Sequence, residues 1–433
     1  MALYTEIAPG TLFRVLQHNL GIKTHDGIYT PRVLLWMMMS ERFDARGTLS
    51  SSVEQLAQGR LDGLLSHCKR AREHQISAGT GGYSQARQHL PGELVERAAG
   101  EVVKQLRDRL CASQGRPIYL MDGSLLRLGC TPELCRTYAE ASNQYGKAHW
   151  LMVRVVLLQE VRTGLAQHMQ WGPACGPKAV SEQGLAQRAI DPVPPGAVMI
   201  GDRNFGVFSI AQCAVQRGHD VIVRLTAQRA WKLMGRPIVQ TGDDAVSWRP
   251  SQLEQRKGHL ADGAEVQGRL IAEQVGRGQK KEWVYLFTTL SDPAAEVLRM
   301  YGLRWNVETD LRAFKQTLRL QQVSVRTAAM LDKELWAALL AYNLVRTVMC
   351  LAAERRGMAA RQLSFTRAYE IVRDGYSKVL AASTEAEQIA QFDRLVDFVA
   401  QCKLPTRRKF RSYPRAVWHH WQKYPPRKPS KTK

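Results

Sequence analysis

The pattern of apolar and polar positions changes twice along the chain. Up to about residue 112 it is helical. TPRVLLWMMMSERF (30–43) and VERAAGEVVKQLRDRL (95–110) place apolar residues at i, i+3 and i+4, and Pro91 and Gly92 mark a turn into the second. SAGTGGYSQARQHLP (77–91) is polar and glycine-rich, which predicts a loop. From residue 115 the period shortens. RPIYLMDG (116–123) reads as a short strand ending at Asp122, LMVRVVLLQ (151–159) as a long buried strand, and TGLAQHMQWG (163–172) as its hairpin partner. SEQGLAQRAI (181–190) is helical with Ser181 as N-cap, and AVMIGD (197–202) is a strand that stops at Asp202. NFGVFSIAQCAVQRG (204–218) is a helix closed by Gly218, and HDVIVRLT (219–226) is again a strand. Residues 227–282 are polar, basic and dotted with glycine, which suits a mostly β insertion or a long functional loop. WVYLFTTL (283–290) returns to strand, after which Asp292 caps a helix with Pro293 at its first position. Residues 329–404 are helical once more, most clearly in LDKELWAALLAYNLVRTVMCLAAE (331–354).

This succession predicts an α/β protein: a helical region 1–112, a mixed-sheet core 113–328 with a β-rich insertion at 227–282, and a helical region 329–433.

YGLRWNVETDLRAFK (301–315) stands apart. On a helix with a uniform step, Tyr301, Arg304, Trp305, Glu308, Arg312 and Lys315 fall within one arc of about 100°. Leu303, Val307, Leu311, Phe314 and Leu318 occupy the neighbouring arc, and Gly302 is a point where the helix can bend. One face buries; the face beside it offers a carboxylate ringed by cations and aromatics, which suits a metal and a phosphate chain. An ordinary solvated helix with Glu/Lys pairs is the alternative.

Charge narrows the choice. The net charge is +22 over 433 residues, and a chain this basic repels itself unless a polyanion accompanies it, nucleic acid above all. Eleven Lys/Arg and no acid lie from Cys402 to the C-terminus, interleaved with Phe410, Tyr413, Trp418, Trp421 and Tyr424. For 403–424 this favours nucleic-acid contact, with a solvated basic tail as the alternative. Residues 1–110 hold 14 Lys/Arg against 11 Asp/Glu, which suits a DNA-end reader and a plain scaffold equally. No apolar run reaches 18 residues and the N-terminus lacks a charged region followed by an apolar one, so neither a membrane span nor a signal peptide is expected and the protein belongs in the cytoplasm. The eight cysteines include no C-x2-C pair and are expected as reduced, mostly buried thiols.

Asp122 and Asp202, each at a strand end, can sit on adjacent central strands of a mixed sheet, where a carboxylate from a packed helix completes a trio. Taken singly, a strand-ending aspartate is also a common turn former. Three converging carboxylates repel one another unless cations neutralise them. Two Mg²⁺ ions about 4 Å apart do this and assist phosphodiester hydrolysis and transesterification.

These residues resemble those of a known family. Tyr301, Arg304, Glu308 and Lys315 match the pattern Y-x2-R-x3-E-x6-K, the signature of bacterial insertion-sequence transposases of the DDE type. MDGS (121–124), GDRNF (201–205) and DKELWAALLAYNL (332–344) also resemble blocks of that family, and the likeness runs over about residues 80–350. The resemblance implies a ribonuclease H-like core with a β-rich insertion before the glutamate. Asp122, Asp202 and Glu308 would be the metal-binding triad, with Mg²⁺ as cofactor and Mn²⁺ as a substitute. Tyr301, Arg304 and Lys315 would hold phosphates of the transposon end, joined on the same arc by Arg312. Arg203, beside Asp202, would touch the backbone or pair with a carboxylate. Trp305 would stack on an unpaired base or pack on the core edge, with Trp283 and Trp248 as other stacking candidates. The implied activity is cleavage at terminal inverted repeats of double-stranded DNA and joining to target DNA, in some relatives through a hairpin. A homodimer on paired ends, in a nucleoid-associated bacterial protein, is the implied assembly. The alternatives are a ribonuclease H-like nuclease without strand transfer, a non-catalytic DNA-binding derivative and, from charge alone, an RNA-associated factor.

Overall fold

The computed structural model describes residues 3–405 apart from 24–26, 45–46, 66–67, 74, 112–114, 144–145, 259–262, 278–279, 318–321 and 383, and without certain side chains inside the elements. The basic tail beyond Leu404–Pro405 lies outside the described residues, so its expected contact with nucleic acid has no structural counterpart here.

The sheet is built on two long strands. β1 (Ile118–Leu128) runs antiparallel to β3 (Gly146–Glu160), with Tyr119 opposite Glu160 and Leu128 opposite Leu151. β2 (Glu140–Asn143) pairs the other edge of β3, which also carries β4 (Ala166–Pro173). The hairpin expected between β3 and β4 is present, and Gly164 in its turn has φ +72°. β5 (Val198–Gly201) and β6 (Asp220–Leu225) extend the sheet in parallel from β1. Beyond them β7 (Gly242–Trp248), β8 (Val266–Arg277) and β9 (Lys280–Thr288) add antiparallel strands, so that much of 227–282 continues the sheet. β10 (Gln322–Val323) returns to pair β1 in parallel. Among the described residues the order is β2-β3-β1-β5-β6-β9-β8-β7, a mixed sheet.

Helices cover the sheet and form a layer of their own. In chain order they include α1 (Pro31–Phe43), α2 (Gly81–His89), α3 (Gly92–Cys111), α4 (Glu182–Ile190), α5 (Phe208–Gln216) and α6 (Ala227–Met234). After the sheet come α7 (Ala294–Gly302), α8 (Trp305–Arg312), α9 (Ala328–Arg355), α10 (Phe365–Ala381) and α11 (Glu385–Ala400). Side chains alternate between the faces of β1. Tyr119 and Met121 share a core with Leu185 of α4 and Phe208 of α5. Leu120 shares another with Val297 and Met300 of α7. Leu126 and Leu128 join the largest core, where α9 packs on α1, α3 and α11. By length and composition α9 could cross a membrane, but 89% of its apolar window is buried inside the protein.

Several expectations need correction. Asp122 is not a strand end: the ladder to β3 runs through it, and the charge interrupts the apolar pattern without interrupting the pairing. The expected loop at 77–91 contains α2, because Tyr83 is 0% exposed and Arg87 is buried in ion pairs, and tertiary contacts outweigh a glycine-rich composition. The helix expected at 204–218 begins at Phe208, after a turn at Asp202–Phe205. Pro293, not Asp292, occupies the N-cap of α7. The cysteines are free, as expected, but only Cys402 is fully buried, and Cys130 and Cys135 are exposed.

Candidate active site

The free edge of β1 is shared. β3 occupies one edge throughout, so β5 and β10 both pair the other: β5 along Ile118–Leu120, β10 along Arg127–Leu128. Between them no described strand pairs that edge, and Asp122 stands in the opening. Asp202 follows the last residue of β5. α8, the helix that contains Glu308, packs against β1. The side chains of Glu308 and Trp305 lie outside the described residues.

Local hydrogen bonds orient both aspartates. The Gly123 N–H donates to Asp122 Oδ1 at 2.8 Å, and the Asn204 N–H donates to Asp202 Oδ1 at 2.8 Å. The turn after Asp202 is tight because Gly206 packs on the Arg224 carbonyl; a Cβ there would lie 2.1 Å from that oxygen. Burial pushes the Asp122 carboxyl up to about 6, and the charges of Asp202 and Glu182 push the same way, against the Gly123 N–H and the Arg304 guanidinium.

Glu182 was not singled out by the sequence. It opens α4 directly after the N-cap Ser181, where an acid complements the helix dipole and attracts no notice. In the fold its carboxylate is held up from its usual range, first by burial and then by Asp202, with Arg154 and a hydrogen bond from Asn204 opposing. Arg224 on β6 was also missed; it lies beside the Tyr301 hydroxyl and donates to Glu282 at 2.5 Å.

The stretch 301–315 is not one helix. α7 ends at Gly302, Leu303 and Arg304 form a turn, α8 runs from Trp305 to Arg312, and Ala313–Thr317 is a π-helical turn that carries Lys315. A uniform step per residue does not hold across these breaks, so the single arc of six residues is not realised. Tyr301 and Arg304 still converge: burial raises the Tyr301 phenol pKa, while the charges of Arg304 and Arg224 oppose this. Lys315 is half-buried, whereas Arg203 and Arg312 are exposed. α8 is pinned from its far side, since Asp310, 1% exposed, pairs with Arg346 and with Arg361, the latter at 2.6 Å. Trp248 is 9% exposed and packs edge-on against Phe208 and Phe287, so it is a core residue and not a stacking platform. Trp283 stacks on Tyr285 at 5.9 Å.

A family model for the transposase DDE domain matches residues 113–344. The chain belongs to the DDE transposase family. It is also similar to the transposase InsG for insertion sequence element IS4 of Escherichia coli, with 28% identity over 356 residues, 79% of this chain and 77% of that one. The protein is therefore a transposase, an enzyme that acts on DNA, and DDE transposase domains use divalent metal ions. The residues fit such ions. Asp122 and Asp202 are hard oxygen donors, and burial and like charge push the Asp122 carboxyl up to about 6, a cost to its charged form that a bound cation removes. Among the described residues no three His, Cys, Asp or Glu side chains are close enough to hold a metal by themselves, and Glu182 does not complete a site with the two aspartates.

Proposed function

We propose that Asp122, Asp202 and Glu308 are the metal-binding carboxylates of a ribonuclease H-like core, and that the transposase cuts the ends of its own element and joins them to target DNA. The observation that carries this reading is the opening in the β1 edge: one aspartate within it, the second at the end of β5, and the glutamate-bearing helix packed on β1. Bound there, divalent cations (two Mg²⁺, with Mn²⁺ as substitute) supply positive charge that eases deprotonation of the attacking oxygen and stabilises the leaving oxygen.

The protein's own groups do the rest. Arg304 and Tyr301, at the junction of α7 and α8, offer a guanidinium and a hydroxyl to the phosphate at the scissile bond. Lys315 adds a cation from the π turn, and exposed Arg203 and Arg312 follow the backbone. Trp305 is assigned to stacking on an unpaired base. Water attacks the end phosphorus, the bond to the 3′-oxygen breaks, and a 3′-hydroxyl leaves. That hydroxyl then attacks a target phosphodiester and displaces its 3′-oxygen. In the hairpin branch it first attacks the opposite strand, displacing the 3′-oxygen of the flanking DNA, and a second water opens the hairpin and frees the 3′-hydroxyl again. Both ends are cut in one complex by a homodimer, with the helical region 1–112 assigned to end binding.

The test incubates the full chain with linear DNA carrying the element's ends, a target plasmid, and Mg²⁺ or Mn²⁺. A 3′-hydroxyl at the element border followed by a joined product is the expected result, and a hairpin band on a denaturing gel reports that branch. Cleavage without joining would leave a nuclease, and no metal-dependent cleavage would overturn the reading.

A further inference from the structure

The first turn of α4 grips the loop that carries Asp202. The Asn204 Nδ2 donates to Glu182 Oε2 at 2.5 Å. Gln183 Nε2 donates to the Asn204 carbonyl at 2.8 Å and to its Oδ1 at 2.9 Å. Asn204 in turn gives its backbone N–H to Asp202 Oδ1. Three bonds thus fix Asn204 from α4, and Asn204 fixes the Asp202 carboxylate.

The other end of the bracket is on β1. A Cβ on Gly123 would lie 1.9 Å from Glu182 Oε1, 2.5 Å from its Cδ and 2.8 Å from its Cγ. The Glu182 carboxylate therefore fills the place where residue 123 would carry its side chain, next to Asp122. Any other residue at 123 would push Glu182 off β1. One side chain touches the strand that bears the first aspartate and bonds the turn that bears the second.

We propose that Glu182 is a positioning residue that sets the spacing of Asp122 and Asp202. It works as a strut: a hydrogen-bond acceptor of fixed length seated in the Gly123 slot, and not as a metal ligand. This rests on the reading of the two aspartates as metal ligands. Groups that orient metal ligands without touching the metal alter affinity on the order of 10–100-fold when removed.

The experiment measures Mn²⁺ binding by electron paramagnetic resonance on the full chain bound to end DNA, together with cleavage and metal-free melting temperature. Glu182→Ala and Asn204→Ala are expected to weaken Mn²⁺ binding roughly 10-fold or more with little change in metal-free melting. Glu182→Gln keeps an acceptor for Asn204 and is expected to restore binding to within roughly threefold, well inside the range for lost orienting groups. Gly123→Ala should behave as Glu182→Ala does. If Glu182→Gln loses as much binding as Asp122→Asn, its charge matters and the strut is wrong. Parental binding in both Glu182→Ala and Asn204→Ala would also overturn it. Asp122→Asn and Asp202→Asn serve as controls: parental Mn²⁺ binding in these would sink the metal-site reading itself, whereas their loss beside an unaffected Glu182→Ala would sink only the strut.

Discussion

Two groups of acids in this protein are treated in opposite ways. In the helical layer, Glu41 and Glu334 are buried, yet each has cationic partners. Arg87 donates to Glu41 at 3.1 Å and to Glu334 at 2.5 Å, and Arg42 donates to Glu334 at 2.7 Å. Tyr83 adds a hydrogen bond to Glu41 at 2.7 Å. Lys333 covers the carbonyl end of α2, donating to Arg87, Gln88 and Leu90 oxygens. At the β1 opening the acids face one another. Asp202 and Glu182 both act on Asp122 to raise its pKa, and Arg304 is the side-chain cation that offsets them. Balanced charge in the first region locks α1, α2 and α9 together. Excess negative charge in the second is poorly suited to stability and well suited to holding cations. Burial and a like-charged neighbour are common to both regions, since Glu334 also pushes the Glu41 carboxyl up. The regions differ in the ion pairs that Arg42 and Arg87 make to the acids of the helical layer.

The sharpest way to break this comparison is to neutralise acids in each region. Asp122→Asn, Asp202→Asn or Glu308→Gln should lower metal-dependent end cleavage by at least about 1,000-fold, in a gel assay, while binding to end DNA persists in a mobility-shift assay. Near-parental cleavage by any one of them removes that residue from the triad. In the helical layer, Glu334→Gln leaves Arg42 and Arg87 short of a partner and should cost about 3–5 kcal/mol in urea unfolding. A loss under about 1 kcal/mol, the range of an exposed pair, would make the network a surface-like one.

Acidity gives a smaller effect of opposite sign to ordinary acid denaturation. The folded protein holds a proton on Asp122 up to about pH 6, well above the usual range of an aspartate. Its contribution to the metal-free fold is therefore full below about pH 4 and is lost as pH rises through about 6. Metal competes with that proton, so the Mn²⁺-induced rise in melting temperature should grow as pH rises through about 6, and Asp122→Asn should flatten the trend. A trend unchanged in Asp122→Asn would place the responsible proton elsewhere. The smallest effect is expected at Lys315. Lys315→Ala should reduce the slope of log affinity against log salt by about 1, the share of one phosphate contact, and an unchanged slope would mean Lys315 serves only inside the protein.

Much of this arrangement was legible in the chain. The long buried run of β3 with its hairpin to β4, the abrupt stop of β5 at Asp202 and the long apolar helix α9 each follow from the local sequence. What was not legible depends on partners distant in sequence. α2 forms because Glu41 and Glu334 receive Arg87, which no reading of residues 77–91 contains. Asp122 lies within a strand because β3 continues opposite it, although β5 does not. The breaks at Gly302 and at the π turn defeat a helical wheel, which assumes one step throughout. Nothing in the local sequence around Glu182, an acid in the first turn of a helix, points to the seat on Gly123 that the fold gives it. The signature in residues 301–315 pointed to the family, which the match over 113–344 bears out, but not to the three-part backbone of that stretch.

The divided edge of β1 has a consequence for synthesis. β5 completes one side of the opening with Val198–Gly201, but β10, at Gln322–Val323, supplies the other. A nascent chain that has emerged only as far as β9 already contains both aspartates yet lacks α8 and the strand that bounds the far side of the opening. Contacts of such long sequence separation form late in folding. The proposed metal site, which needs α8, can thus be complete only after most of the chain has left the ribosome.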